Sequence, residues 1–174
     1  MDDGSSFVVE VSEAVWARFA ADISDVTPEE ADWRPLPQAN SINVILRHVR
    51  IEAEWHLASL EHGAAMPESI SPELQRQIDS VPIDFEQNSK ALARLVARFL
   101  AVLRQTPLAK LRAQTALAYG ADSRAPSIPP HFLGFHQATH LAGHLGQIRT
   151  LRNLYRTTRG EAARFHPSNP TYPR

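Results

Sequence analysis

The chain has no cysteine, only seven glycines and no long apolar run. The absence of cysteine excludes disulfide bonds and a protein thiol as nucleophile or metal ligand. No stretch reaches membrane-spanning length, and residues 1–11 lack the apolar segment of a signal peptide, so we expect a cytoplasmic protein without membrane contacts. A net charge of −1 and a pI of about 6.7 argue against nucleic acid as a partner.

Helical periodicity dominates what is present, and only residues 7–11 have the β-branched composition of a strand. Proline-rich stretches separate the helical segments, and residues 71–78 are predicted to form one short additional helix. The long helices are predicted at residues 5–24, from Asn40 or Ser41 to Gly63, at 84–105, and from Pro129 to Arg159. This pattern predicts an all-α protein, most simply a four-helix bundle. We expect one domain over residues 1–160 and a proline-rich tail over 161–174.

Histidines recur every fourth residue in the last helix, at His136, His140 and His144. Residues four apart are neighbours on one side of a helix. On a helical wheel His140 and His144 lie in the middle of the apolar stripe, whereas His136 lies towards its edge. The same construction on the second helix places His48 between apolar residues. Three histidines on two helices are therefore expected to face inward.

Inward-facing imidazoles are unfavourable unless their nitrogens find partners. Each ring could form a separate hydrogen bond, or His48, His140 and His144 could share one metal ion. Their convergence favours the metal ion, because one dication satisfies a nitrogen of every ring. The HExxH pattern of zinc proteases is absent, as is an inward-facing ExxH pattern of di-iron bundles.

Two segments carry a recognisable pattern, DWRPLPQANSINVILRHV at 32–49 and HLAGHLGQI at 140–148. Together they resemble the DinB/YfiT family of metal-binding four-helix proteins, which includes bacterial thiol-dependent transferases. The resemblance implies a bundle with long crossover connections, often paired as a homodimer. It also implies that His48, His140 and His144 are ligands of a divalent transition metal, with zinc or nickel expected first.

The GQ pair of the second segment has its own implications. Gly146 is expected to allow close helix packing. Gln147 is either a hydrogen-bond partner of a metal ligand or an ordinary residue at the helix edge.

The implied activity is transfer of a low-molecular-weight thiol, such as bacillithiol, mycothiol or glutathione, to an electrophile. Because the chain has no cysteine, the thiol must come from a cosubstrate. A metal-dependent hydrolase would need the same ligands, and a metal-stabilised bundle acting only in binding or assembly is a further alternative. Whether the chain is an enzyme is therefore left open. An open metal position beside a pocket would favour catalysis, and a fourth protein ligand would favour a structural role.

Three more residues are candidates for a substrate pocket. Glu52, one turn after His48, is a general base or, by the simpler interpretation, a carboxylate at the rim of the site. Trp55 is a pocket wall or a plain core aromatic. His136 is a proton shuttle or a partly exposed residue of the helix edge.

The remaining charged and histidine positions carry simpler expectations. The arginines of the last helix are predicted to form a solvated stripe, with contact to an acidic cosubstrate or a partner subunit as the alternative. These arginines are Arg149, Arg152, Arg156 and Arg159. No converging partner is predicted for His56, His62, His131 or His166.

Overall fold

The structure is a computed structural model that describes residues 3–63, 71–107, 109–110 and 132–165. The helices of this part are α1 (Asp3–Ile23), α2 (Pro28–Asp32), α3 (Ile42–His62), α4 (Pro72–Ser80), α5 (Phe85–Gln105) and α6 (Phe132–Thr158). No strand occurs in these residues, which confirms the all-α prediction. None of these helices is long and apolar enough to cross a membrane. Most of residues 107–128, together with His131, His166 and the rest of the tail, lies outside the described residues.

Capping residues explain where the predicted helices begin and end. The Ser41 hydroxyl accepts a hydrogen bond from the Val44 amide at the start of α3, and Gly63 ends that helix with a φ of 67°. The Asp84 carboxylate caps α5 in the same way. Side-chain acceptors satisfy amides that have no partner within the first turn, and glycine adopts a positive φ without strain.

A short helix, α2, replaces part of the break that the sequence predicted between the first two long helices. Pro28 occupies the first helical turn, where its missing N–H is harmless, and the Thr27 hydroxyl accepts from the Glu30 amide. The prolines of this stretch were predicted to prevent helix formation, but Pro28, the first of them, begins a helix instead.

Each of the four long helices packs against two others. Helix α1 lies against α5 and α6, and α3 lies against the same two helices. Consecutive long helices α1 and α3 are therefore diagonal neighbours in the bundle, as are α5 and α6. Long helices that follow each other in sequence thus lie diagonally opposite in these two cases, which is the arrangement that the crossover connections of the resemblance require. The contact between α3 and α6 brings the histidines of the two sequence segments together.

The arginines of α6 tie this helix to α1 and α2. Arg152 is only 2% exposed and donates to the Glu30 carboxylate at 2.7 Å and to the Asp25 carboxylate at 2.9 Å. Arg149 pairs with Asp22 at the end of α1. The predicted solvated stripe is therefore wrong for Arg152, whose acidic partners lie on distant parts of the chain. The other two arginines remain near the surface, where Arg156 pairs with Glu161 and Arg159 with Glu29.

The segment between α2 and α3 is held beside α6 by its own contacts. Trp33 ends α2 and packs edge-on against Tyr155 of α6, with ring centroids 5.7 Å apart. Arg34 donates to the Ala39 carbonyl at 2.7 Å, which closes the loop. The WRP part of the first sequence segment therefore shapes a loop that faces the last helix.

Candidate metal centre

Helices α3 and α6 bring His48, His140 and His144 into one cluster. The Nε2 atom of His140 lies 3.1 Å from Nε2 of His48 and 3.0 Å from Nε2 of His144. The rings are steeply inclined to one another, with interplanar angles of 64° and 83° for these two pairs. Three nitrogens from two helices therefore point to one small region.

The cluster opens to solvent on the side of α3. The His48 side chain is 48% exposed, whereas that of His140 is 13% exposed. The helical wheel predicted that His48 faces inward, but it lies at the rim because its position borders the α3–α6 interface. Small molecules can reach the cluster from this side.

The protonation of the rings leaves their lone pairs available. The Nδ1 atom of His144 lies 2.8 Å from Oε1 of Gln147, so an N–H group at Nδ1 donates to the amide oxygen and the lone pair of that tautomer is at Nε2. Of the two interpretations of Gln147, the structure thus favours the hydrogen-bond partner. Burial, with the neighbouring His144 and His48, lowers the pKa of His140 to about 3. Burial also lowers the pKa of His48, so both rings are neutral at pH 7.

This donor set fits a divalent transition metal ion. A tetrahedral site with metal–nitrogen distances of about 2.0–2.1 Å has nitrogen–nitrogen edges of about 3.3 Å. The observed separations of 3.0 and 3.1 Å are close to that value. Neutral imidazole nitrogens are ligands that zinc, nickel, copper and iron all accept.

Glu52 lies directly beside the three histidines. Its Oε2 atom is 3.1 Å from Nε2 of His140, and its Oε1 atom is 3.4 Å from Nε2 of His48. Burial raises the pKa of the Glu52 carboxyl group. Trp55, in contrast, is partly buried. Among the described residues its ring does not stack or pack edge-on against a histidine or an aromatic ring. The structure thus brings Glu52 to the cluster but gives no such contact for Trp55.

His56, for which no partner was predicted, belongs to a second cluster on the same two helices. It is fully buried, and its ring centroid lies 5.0 Å from that of His136. The signal in the sequence was the spacing His48–Glu52–His56, which repeats every fourth residue and faces the three histidines of α6. Wheels of single helices miss this match, because it depends on the register between α3 and α6. His62 stays at the surface near Glu61.

A groove of about 520 Å³ lies where the two sequence segments meet, and its lining includes Gln147 but none of the three histidines. The loop before α3 and the start of that helix form one wall, and α6 forms the other. The lining residues are Pro35, Ala39, Asn40, Ile45, Gly143, Gly146, Gln147, Thr150, Leu151 and Leu154. Gln147 connects the groove with the cluster, because its side chain also contacts His144.

Gly146 does not serve the close helix packing that was predicted for it. A Cβ atom built at this position meets no atom within 4 Å in the described chain, and the same holds for Gly143. The close approach is at Gly134 instead, where a Cβ atom would lie 2.8 Å from Cγ1 of Val8. The two glycines of the second segment leave the groove wide.

Comparison with known proteins agrees with this geometry. The family model of mycothiol-S-transferase matches residues 11–157, a range that contains both clusters and the groove. Searches of curated proteins and of solved structures found no match. The matching family is DinB-like, which confirms the resemblance of the two segments. Because the match covers most of the chain, the chain belongs to the mycothiol-S-transferase family.

Proposed function

We propose that the chain is a metal-dependent S-transferase that joins a low-molecular-weight thiol, with mycothiol as the first choice, to a small electrophile. The proposal rests mainly on the convergence of three histidine Nε2 atoms near an open groove. The Nε2 atom of His140 lies 3.1 Å from that of His48 and 3.0 Å from that of His144. Family membership supplies the thiol class. Bacillithiol and glutathione are the thiols against which this choice is tested.

The ligands of the metal ion in this proposal are His48, His140 and His144. A zinc or nickel ion held there would supply positive charge that lowers the pKa of a thiol. Gln147 keeps the His144 ring in the tautomer that offers Nε2, and such outer contacts also fix ring orientation. The exposed side of His48 gives the thiol access and lets its proton leave to water.

The groove holds the thiol and the electrophile together. Leu151 and Leu154 give it apolar walls, and Asn40 and Thr150 add polar groups. In the transfer, the thiol loses its proton and its sulfur attacks the electrophilic carbon. A carbon–sulfur bond forms while the bond to the leaving group breaks, and the leaving group departs with the bonding electrons. Holding both reactants in one site removes most of the entropic cost of their encounter.

One observation favours the alternative of a metal-stabilised bundle without catalysis. Glu52 lies 3.1 Å from Nε2 of His140, so its carboxylate is close enough to become a fourth ligand that closes the site. The variant Glu52→Gln separates the two roles. If the carboxylate closes the three-histidine site, this variant binds metal at that site more weakly and shows no transfer; if the site is open, the variant keeps the metal ion of the three histidines and its transfer activity.

Activity measurements test the proposal directly. Zinc- or nickel-loaded protein should accelerate formation of the thioether from mycothiol and a fluorogenic haloalkyl electrophile at least tenfold over the uncatalysed reaction. His140→Ala should abolish this acceleration, and His62→Ala, which changes an exposed histidine outside both clusters, should retain it. Equal acceleration by both variants would disprove the ligand assignment. Acceleration with glutathione or bacillithiol but not with mycothiol would disprove the choice of thiol.

The proposal includes a cytoplasmic homodimer built from one domain over residues 1–160. The resemblance supports pairing, and Phe7 and Phe135 add exposed aromatic side chains on the neighbouring helices α1 and α6. Light scattering at micromolar concentration should give twice the chain mass, and the mass of one chain would disprove the pairing.

A further inference from the structure

A second group of potential ligands lies one helical turn from the first. Glu52 and His56 on α3 and His136 on α6 each offer one ligand atom, and these three atoms lie within 4.8 Å of one another. The rings of His136 and His140 are stacked with centroids 5.9 Å apart, so the two groups are direct neighbours. None of the sequence motifs considered above accounts for this second group.

The buried ring of His56 is oriented like that of a metal ligand. Its Nδ1 atom lies 2.7 Å from the Glu52 carbonyl oxygen, so the Nδ1–H group donates to the backbone. The Nε2 atom therefore carries the lone pair, and it is buried without a hydrogen-bond partner among the described residues. A backbone carbonyl that holds one imidazole nitrogen while the other stays available is the usual second-shell arrangement of metal-binding histidines.

The chemistry around this lone pair suits a cation better than a further hydrogen bond from water. A water molecule could donate to Nε2, but a buried water needs several polar partners of both kinds. Glu52 and His136 instead add a carboxylate and a second imidazole, and burial keeps the pKa of His136 and His56 below the ordinary value. Two neutral nitrogens and one anionic oxygen form a ligand set that zinc and related divalent ions accept.

We propose that Glu52, His56 and His136 bind a second divalent transition metal ion beside the three-histidine site. Glu52 also lies beside the three histidines, so its negative charge would offset part of the repulsion between two bound ions. With Glu52 bound to the second ion, the three-histidine site would keep a position open for substrate. The second site goes beyond the proposed S-transfer and can be tested without it.

Zinc content provides the first test. The full chain, dialysed against buffer with a fixed low concentration of free Zn²⁺, should contain two zinc ions by elemental analysis. His136→Ala should contain one, and so should His144→Ala, because each variant removes one site. His62→Ala should retain two as the matched control. A wild-type content of one zinc ion, or an unchanged content of two in His136→Ala, would overturn the second site.

The imidazole nitrogen shifts provide a test that does not depend on removing a buried ring. In His144→Ala labelled with ¹⁵N, added Zn²⁺ should move the Nε2 resonance of His56 into the range of metal-bound nitrogen. The same addition to the variant that combines His136→Ala with His144→Ala should leave that resonance unchanged. An unmoved His56 resonance in His144→Ala would overturn the proposal, whereas a zinc content that His144→Ala does not lower would overturn the three-histidine site instead.

Discussion

The metal-free protein should become less stable when the pH falls from 7.5 to 5.5, because two buried histidines resist protonation in the folded state. Burial first, and then neighbouring rings, lowers the pKa of both His56 and His140 to about 3. Both side chains are well shielded from solvent, His56 completely. In the unfolded chain each titrates near 6.5, the value for a histidine in water.

The size of the effect follows from the unfolded state. At pH 5.5 a histidine with a pKa of 6.5 is about ten parts protonated to one part neutral, which favours unfolding by about 1.4 kcal/mol per residue. The two histidines together lower the free energy of unfolding by about 3 kcal/mol relative to pH 7.5. A lowered histidine pKa thus gives stability that is complete above pH 6.5 and is lost as the pH falls towards 3.

Neighbouring titrating groups act on this value in both directions. The lowered pKa values of His48 and His136 act in the same direction. The raised pKa of Glu52 acts in the opposite direction, because its protonation favours the folded state as the pH falls towards 4.5. Arginine partners lower the pKa of the Asp25 carboxyl group against the effect of its burial, and the stability from that pairing is lost only near and below pH 3.8.

Urea unfolding followed by circular dichroism, with chelator present and ionic strength constant, measures the difference. His140→Asn should reduce the pH effect by the share of one histidine, about 1.4 kcal/mol, and His62→Asn should leave it complete because that side chain is exposed. A free energy of unfolding that is equal at the two pH values, or higher at pH 5.5, would refute the reasoning. So would a complete pH effect in His140→Asn.

Three further changes test other parts of the structure. Arg152→Met should lower the free energy of unfolding by about 3–5 kcal/mol in urea, because it leaves the buried Glu30 carboxylate unpaired, whereas Arg159→Met at the surface should cost under about 1 kcal/mol; equal costs would contradict the buried network. Gly134→Ala should cost about 1–3 kcal/mol, because its Cβ atom would lie 2.8 Å from Val8, while Gly143→Ala meets open space and should not destabilise the helix; a neutral Gly134→Ala would show that α1 and α6 are not so close. Gln147→Leu should weaken zinc binding about 10- to 100-fold in competition with a chelator, because it removes the acceptor for Nδ1 of His144, and unchanged affinity would exclude this support.

Local sequence signals predicted the parts of the structure that one helix determines by itself. Ser41 and Gly63 marked the ends of α3 because capping depends on adjacent residues only. The spacing of His140 and His144, together with the position of His48 among apolar residues of the second helix, identified the histidines that the structure brings together, although His48 lies at the rim and not inside.

Features that depend on two distant segments were missed. The buried pairing of Arg152 with Glu30 joins residues 122 positions apart, so an arginine in a charged stripe gave no sign of it. The contact of His56 with His136 depends on the register of α3 against α6. The open surroundings of Gly146 depend on where the loop before α3 lies. None of these is a property of local periodicity.

The most direct test of the central claim is whether a mycothiol sulfur binds a metal ion held by the three histidines. Chelator-treated protein is loaded with one equivalent of Co²⁺, and its ultraviolet–visible spectrum is recorded before and after mycothiol is added at pH 7.5. The account predicts a new sulfur-to-cobalt charge-transfer band in the wild type and in His62→Ala, and no such band when His140 and His144 are both replaced by alanine. An unchanged wild-type spectrum, or the same band in the double variant, would contradict it.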